Sequence, residues 1–176
     1  MVLGMSLSTF TALHVVISII GIGSGLLVAW GLLKNKRFDG ATVIFLVTTV
    51  LTSLTGYLFP VKHLLPSHIV GAISLVALAI AIYARYGQHM ERSWRATYVI
   101  SSAISLWLNV FVLVAQSFMK VPSLHELAPN GNEPPFAISQ LIVMVIFIVI
   151  AIVGVKKFHP ATLSAVEPAW KSTKAS

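Results

Sequence analysis

The stretch FAISQLIVMVIFIVIAIVGV, residues 136–155, decides the fold. It carries no charge, and a helix of that length covers roughly the 30 Å hydrocarbon core of a bilayer. Four further runs read the same way, at residues 10–33, 41–59, 68–86 and 96–119. Of the 176 residues, 57% are hydrophobic and 10% are charged, against about 25% charged in soluble proteins. The expected architecture is therefore all-α, a bundle of five transmembrane helices near those runs. It forms one domain, residues 1–158, followed by a polar tail, residues 159–176.

The basic residues sort themselves between the two sides of such a bundle. Lys34, Lys36 and Arg37 follow the first run, Arg85 stands at the end of the third, and Arg92 and Arg95 lie between the third and fourth. Lys156, Lys157, Lys171 and Lys174 follow the fifth, whereas the two remaining loops hold only Lys62 and Lys120. Lys and Arg stay on the cytoplasmic side of short loops, so the N-terminus is expected outside and the C-terminus inside. The net charge of +7 is thus spent on orientation and on anionic lipid headgroups. The lipid bilayer is the expected partner; a nucleic acid is not, because these residues form no basic face. The first run has no Lys or Arg before it and is too long for a cleaved signal peptide, so it reads as a retained helix. The chain has no Cys, which removes disulfides, thiolate metal sites, iron–sulfur clusters and c-type haem attachment.

Small and polar residues run in stripes along the helices. His14, Ser18, Gly21 and Gly25 share one face of the first, with a Gly-x-x-x-Gly pair. Thr48, Thr52 and Thr55 line the second, and Ser102, Ser105, Asn109 and Gln116 the fourth. Membrane helices associate through such residues, so interhelical hydrogen bonding accounts for them. A polar path is the other reading, in which Ser105, Asn109 and Gln116 serve a small transporter or permeation unit.

Four of the six His fall on the expected outer side: His14, His63, His68 and His125, joined by Glu126 and by Glu133, which reads as a loop carboxylate. With thiolates absent, imidazole and carboxylate are the ligands for Cu, Zn, Fe or Mn, and neutral His also serves as an axial haem ligand. A transition metal would take His14, His63, His68, His125 and Glu126. Haem b would take His14 and His68 as axial ligands, with room for the macrocycle at Gly21 and Gly71 and with Lys62 or Lys120 meeting its propionates. Either cofactor makes a redox-linked role an expectation. No metalloprotease spacing, phosphate-binding loop or hydrolytic triad is present, so no reaction is assigned and enzymatic activity stays open. The loop at residues 120–135 holds Pro122, Pro129, Pro134, Pro135 and Gly131. It reads as turns rather than helix. It is also where a membrane or periplasmic protein would dock if the chain is a non-catalytic subunit or assembly factor.

The segments Gly56-Tyr-Leu-Phe-Pro60 and His63-Leu-Leu-Pro-Ser-His-Ile-Val-Gly71 resemble uncharacterised small integral membrane proteins of proteobacteria. Leu108-Asn-Val-Phe-Val-Leu-Val-Ala-Gln116 and Pro134-Pro-Phe-Ala-Ile-Ser-Gln140 extend that resemblance over most of the chain. It implies a bacterial inner-membrane location and no particular activity. A lesser similarity is to small b-type membrane cytochromes, which hold haem between helices with paired His. That similarity implies haem on His14 and His68, although the usual His placement of those cytochromes is missing.

Overall fold

The computed structural model describes residue 2 and residues 4–60 and 66–159. Within them five helices are long and apolar enough to cross a membrane. They are α1 (Leu7–Lys34), α2 (Asp39–Gly56), α3 (Pro66–Ile82), α4 (Ser93–Lys120) and α6 (Pro134–Lys157); α5 (Pro122–His125) is a single turn between the last two. Each run expected from the sequence overlaps one of these helices, the second run extending past Gly56 and the third past Ile82. The tail from residue 160 onward, with Lys171 and Lys174, lies outside the described residues.

Local chemistry sets the boundaries. Ser6 caps α1 by accepting a hydrogen bond from the Thr9 amide at 3.1 Å, which satisfies one of the free donors of the first turn. Asn35 ends α1 in the left-handed conformation, φ 54°, a region that Asn tolerates better than most residues. Pro66, Pro122 and Pro134 each open a helix, where the missing N–H has no cost. Pro122 is also why part of the loop at residues 120–135 is helical rather than all turn. One feature has no sequence signal: α3 continues into a π-helical turn, Tyr83–Gly87.

The helices pack as a ring in which α1 touches α2, α2 touches α3, α3 touches α4, α4 touches α6 and α6 returns to α1. α4 also crosses the ring to reach α1 and α2, and it is the most buried span, with α6 the least. The polarity is inverted relative to a soluble bundle. Ile19, Leu27, Ile69, Val76, Leu141 and Ile152 face outward and exposed, while Ser24, Thr42, Thr49, Ser102, Ser105 and Asn109 are buried. Lipid accepts an apolar exterior, and small polar groups let backbones approach inside. The Gly pair works in this way. A Cβ at Gly25 would sit 2.5 Å from Leu106 Cδ1 and 2.8 Å from Phe45 Cδ2, so only glycine lets α2 and α4 close on α1 there.

The two ends of the bundle differ. One, the His end, joins the start of α1, the end of α2, the start of α3 and the α4–α6 loop. The other, the basic end, joins the α1–α2 turn, the π turn and the end of α6.

Candidate functional site: a polar seam between α1, α2 and α4

A line of polar groups runs from the His end into the bundle. His14 Nδ1 lies 2.7 Å from Thr55 Oγ1. The Thr55 hydroxyl proton is already committed to the Leu51 carbonyl at 2.7 Å. Thr55 therefore accepts, His14 donates from Nδ1, and Nε2 keeps its lone pair. Phe59 meets the imidazole edge-on at 5.2 Å, and Phe10 in turn packs edge-on against Phe59 at 5.0 Å. One turn deeper, Ser18 donates to the His14 carbonyl at 2.8 Å and approaches Thr52 Oγ1 at 3.4 Å.

Another turn deeper the pairing stops. A Cβ on Gly21 would lie 3.1 Å from Thr48 Oγ1, 3.2 Å from Thr49 Oγ1 and 3.3 Å from Asn109 Nδ2. Thr48 spends its proton on the Ile44 carbonyl at 2.6 Å and offers an acceptor. Thr49 Oγ1 and Asn109 Nδ2 have no partner although the residues are only 0% and 8% exposed. Ser102 Oγ, two turns along α4 from Asn109, is likewise buried and unpaired. Ser105 is satisfied by the Ser101 carbonyl at 2.9 Å. Gln116 is half-buried about two turns of α4 beyond Asn109, or about 10 Å along the axis. Below Asn109 the seam is closed by Phe45 and Leu106 against Gly25.

The basic end holds a second network, which sequence reasoning missed. Arg85 was expected as a loop cation; the π turn instead carries its side chain inward, where it is 4% exposed. Its guanidinium pairs with Asp39, donates to Tyr98 Oη at 3.2 Å, and lies over the Tyr98 and Tyr86 rings at 5.2 and 5.6 Å. Asp39 also meets Arg37 at 3.2 Å. Arg95 ties α4 to α6 by donating to the Val155 and Phe158 carbonyls at 2.7 and 2.6 Å. Only the cluster of Arg among aromatics around a lone Asp could have signalled this in advance.

The expected cofactor ligands are distributed as follows. His68 is buried beside Tyr57, whose ring lies 5.3 Å away and whose hydroxyl donates to the His68 carbonyl at 2.6 Å. The space expected for a macrocycle is filled: Tyr57 covers the face of Gly71 at 3.3–3.5 Å, and Thr48, Thr49 and Asn109 cover Gly21. His125 and Glu126 are exposed in and after α5, and Lys120 is exposed at the end of α4. Lys62 and His63 lie outside the described residues. Among the described residues no three His, Asp or Glu stand close enough to share a metal ion.

Glu133 is committed to its own loop. It accepts from the Asn130 amide and side chain at 3.0 and 2.8 Å and from the Asn132 amide at 3.0 Å. Desolvation acts to raise its carboxyl, but these hydrogen bonds outweigh it and hold the group at about 2.

Comparison with family models, with curated proteins and with solved structures finds no match to this chain.

Proposed function

We propose that this chain is a small permeation unit of a bacterial inner membrane, with the His end outside and the basic end inside. Its seam would admit a small, neutral, hydrogen-bonding solute from outside as far as Asn109. The observation that carries the reading is the convergence of an unpaired donor, an unpaired hydroxyl and an acceptor over Gly21, side chains that a solute would part as it enters. Leaving such a group unpaired in a buried site costs about 1–3 kcal/mol. Nearer the His end the seam pairs its groups, as His14 and Thr55 do. A visiting solute supplies the missing partners.

The solute is neutral because Asn109, Thr48 and Thr49 bring no charge, and an uncompensated ion at membrane depth is costly. Phe45 and Leu106 on Gly25 separate Asn109 from the basic end, so passage requires those side chains to move. The orientation rests on the distribution of Lys and Arg along the sequence.

Substitution of Asn109 separates this reading from plain packing. Asn109→Leu is expected to stabilise the protein by about 1–3 kcal/mol, since it replaces an unpaired buried amide with an apolar group of similar size. It is also expected to abolish solute entry into vesicles. A thermal shift of the opposite sign in detergent would mean that Asn109 serves the fold and not a solute.

One observation favours a second reading, an outer-face cofactor. His14 donates from Nδ1, which leaves Nε2 free to ligate a metal or haem iron. His68 would be its haem partner only if the side chains that fill the Gly21 and Gly71 faces withdrew; His63, His68, His125 and Glu126 would be the further metal ligands. The absorption spectrum and metal content of the purified protein decide it. A Soret band or stoichiometric metal that disappears in His14→Ala supports this reading, and a colourless, metal-free protein ends it.

A further inference from the structure

Between α4 and α6 lies an apolar groove of about 610 Å³, reaching from Lys156 and Ile100 to Trp107 and Met144. It exists because the two helices are pinned at both ends and not in the middle. At the basic end Arg95 holds the carbonyls of Val155 and Phe158, and Gly154 seats against Val99. At the other end Phe118 packs edge-on against Phe136 at 5.5 Å, and Gln140 donates to the Phe111 carbonyl at 3.0 Å. Between these pins Ala103 and Ala151 line a gap that larger side chains would fill.

We propose that this groove holds one acyl chain of an anionic phospholipid whose phosphate is met by Lys156. The length and lining suit a hydrocarbon chain. From Ile100 to Trp107 the groove runs about 10 Å at 1.5 Å per residue, within the roughly 15 Å depth of one leaflet. Its lining is apolar along that length, the environment a hydrocarbon chain requires. The charge selects the headgroup. Lys156 is exposed at the rim and has no ion pair among the described residues, while the nearby Arg95 is occupied by carbonyls. Basic residues between transmembrane helices at one membrane face bind anionic headgroups. This inference does not rest on the seam.

Trp107 is a built-in probe. With Trp30, Trp94 and Trp170 replaced by Phe, the remaining indole is titrated in phosphatidylcholine vesicles with lipids brominated on the acyl chain. Brominated phosphatidylglycerol is expected to reach half-maximal quenching at about fivefold lower mole fraction than brominated phosphatidylcholine, the ratio that one Lys near the surface supplies. In Lys156→Gln the two curves should converge, and Ala151→Leu, which fills the groove, should remove the tight quenching. Equal curves with Lys156 present would mean ordinary surrounding lipid and overturn the proposal. An indole unquenched by either lipid would mean that another copy of the chain covers the groove, and a preference that survives Lys156→Gln would assign the headgroup elsewhere; both also overturn it.

Discussion

Gly25→Leu is expected to leave little folded protein, with a loss of about 4 kcal/mol or more. The first added carbon alone would stand 2.5 Å from Leu106 and 2.8 Å from Phe45. A permanent displacement of either neighbour would break the contact between α1, α2 and α4, in which both are almost fully buried. The remaining three carbons would have to push the helices apart, which opens a place where α4 reaches across the ring. Gly23→Leu is the control. A Cβ at Gly23 meets nothing within 4 Å, so that variant should be neutral or gain about 1 kcal/mol from helix propensity. The yield of monodisperse protein after detergent extraction and its melting temperature read the difference. Equal behaviour of the two variants would refute the packing described around Gly25.

The second large effect concerns the Arg85–Asp39 pair, and it is asymmetric. Asp39→Ala strands a guanidinium that is 4% exposed, whereas Arg85→Met leaves a carboxylate that is 64% exposed and free to hydrate. Removing the partner of a buried charge costs about 3–5 kcal/mol. Here the solvent around Asp39 and the remaining Tyr98 and Tyr86 contacts lower that to about 2–4 kcal/mol. Arg85→Met should cost about half as much, and adding it to Asp39→Ala should recover stability, because the buried charge leaves with it. Melting temperatures of the two single variants and the double variant test this. If Asp39→Ala melts like Arg37→Ala, the pair does not carry the basic end.

What the sequence revealed and what it hid have separate physical causes. Spans are written in local composition, so all five runs could be read, with ends displaced by a few residues where a Pro or a capping Ser sets the boundary. The Gly21–Gly25 pair and the Thr and Asn stripes could also be read, because small and polar residues at helical spacing must face other helices in lipid. Which of these groups find partners could not be read. His14–Thr55 and the unpaired Asn109 differ only by the positions of residues dozens of places away. Arg85 shows the limit most plainly. Its burial depends on a π turn at Tyr83–Gly87 and on Asp39, 46 positions earlier, and neither leaves a local pattern. The α4–α6 groove depends on the separation of two helices, which composition does not encode. The outer-face His expectation joined residues by side of the membrane alone. The structure gives His14 and His68 different neighbours, Thr55 for one and Tyr57 for the other.

The central claim is that the unpaired groups around Gly21 serve a small neutral solute, and flux through reconstituted vesicles tests it most directly. Purified wild-type protein and Asn109→Leu are placed in vesicles at equal density, and entry of urea, glycerol and water is followed by light scattering after an osmotic step. The account predicts that wild-type vesicles admit at least one of the three about tenfold or more faster than protein-free vesicles, and that Asn109→Leu returns the rate to the protein-free value. Wild-type vesicles no more permeable than bare lipid to all three, or Asn109→Leu vesicles as permeable as wild type, would contradict it.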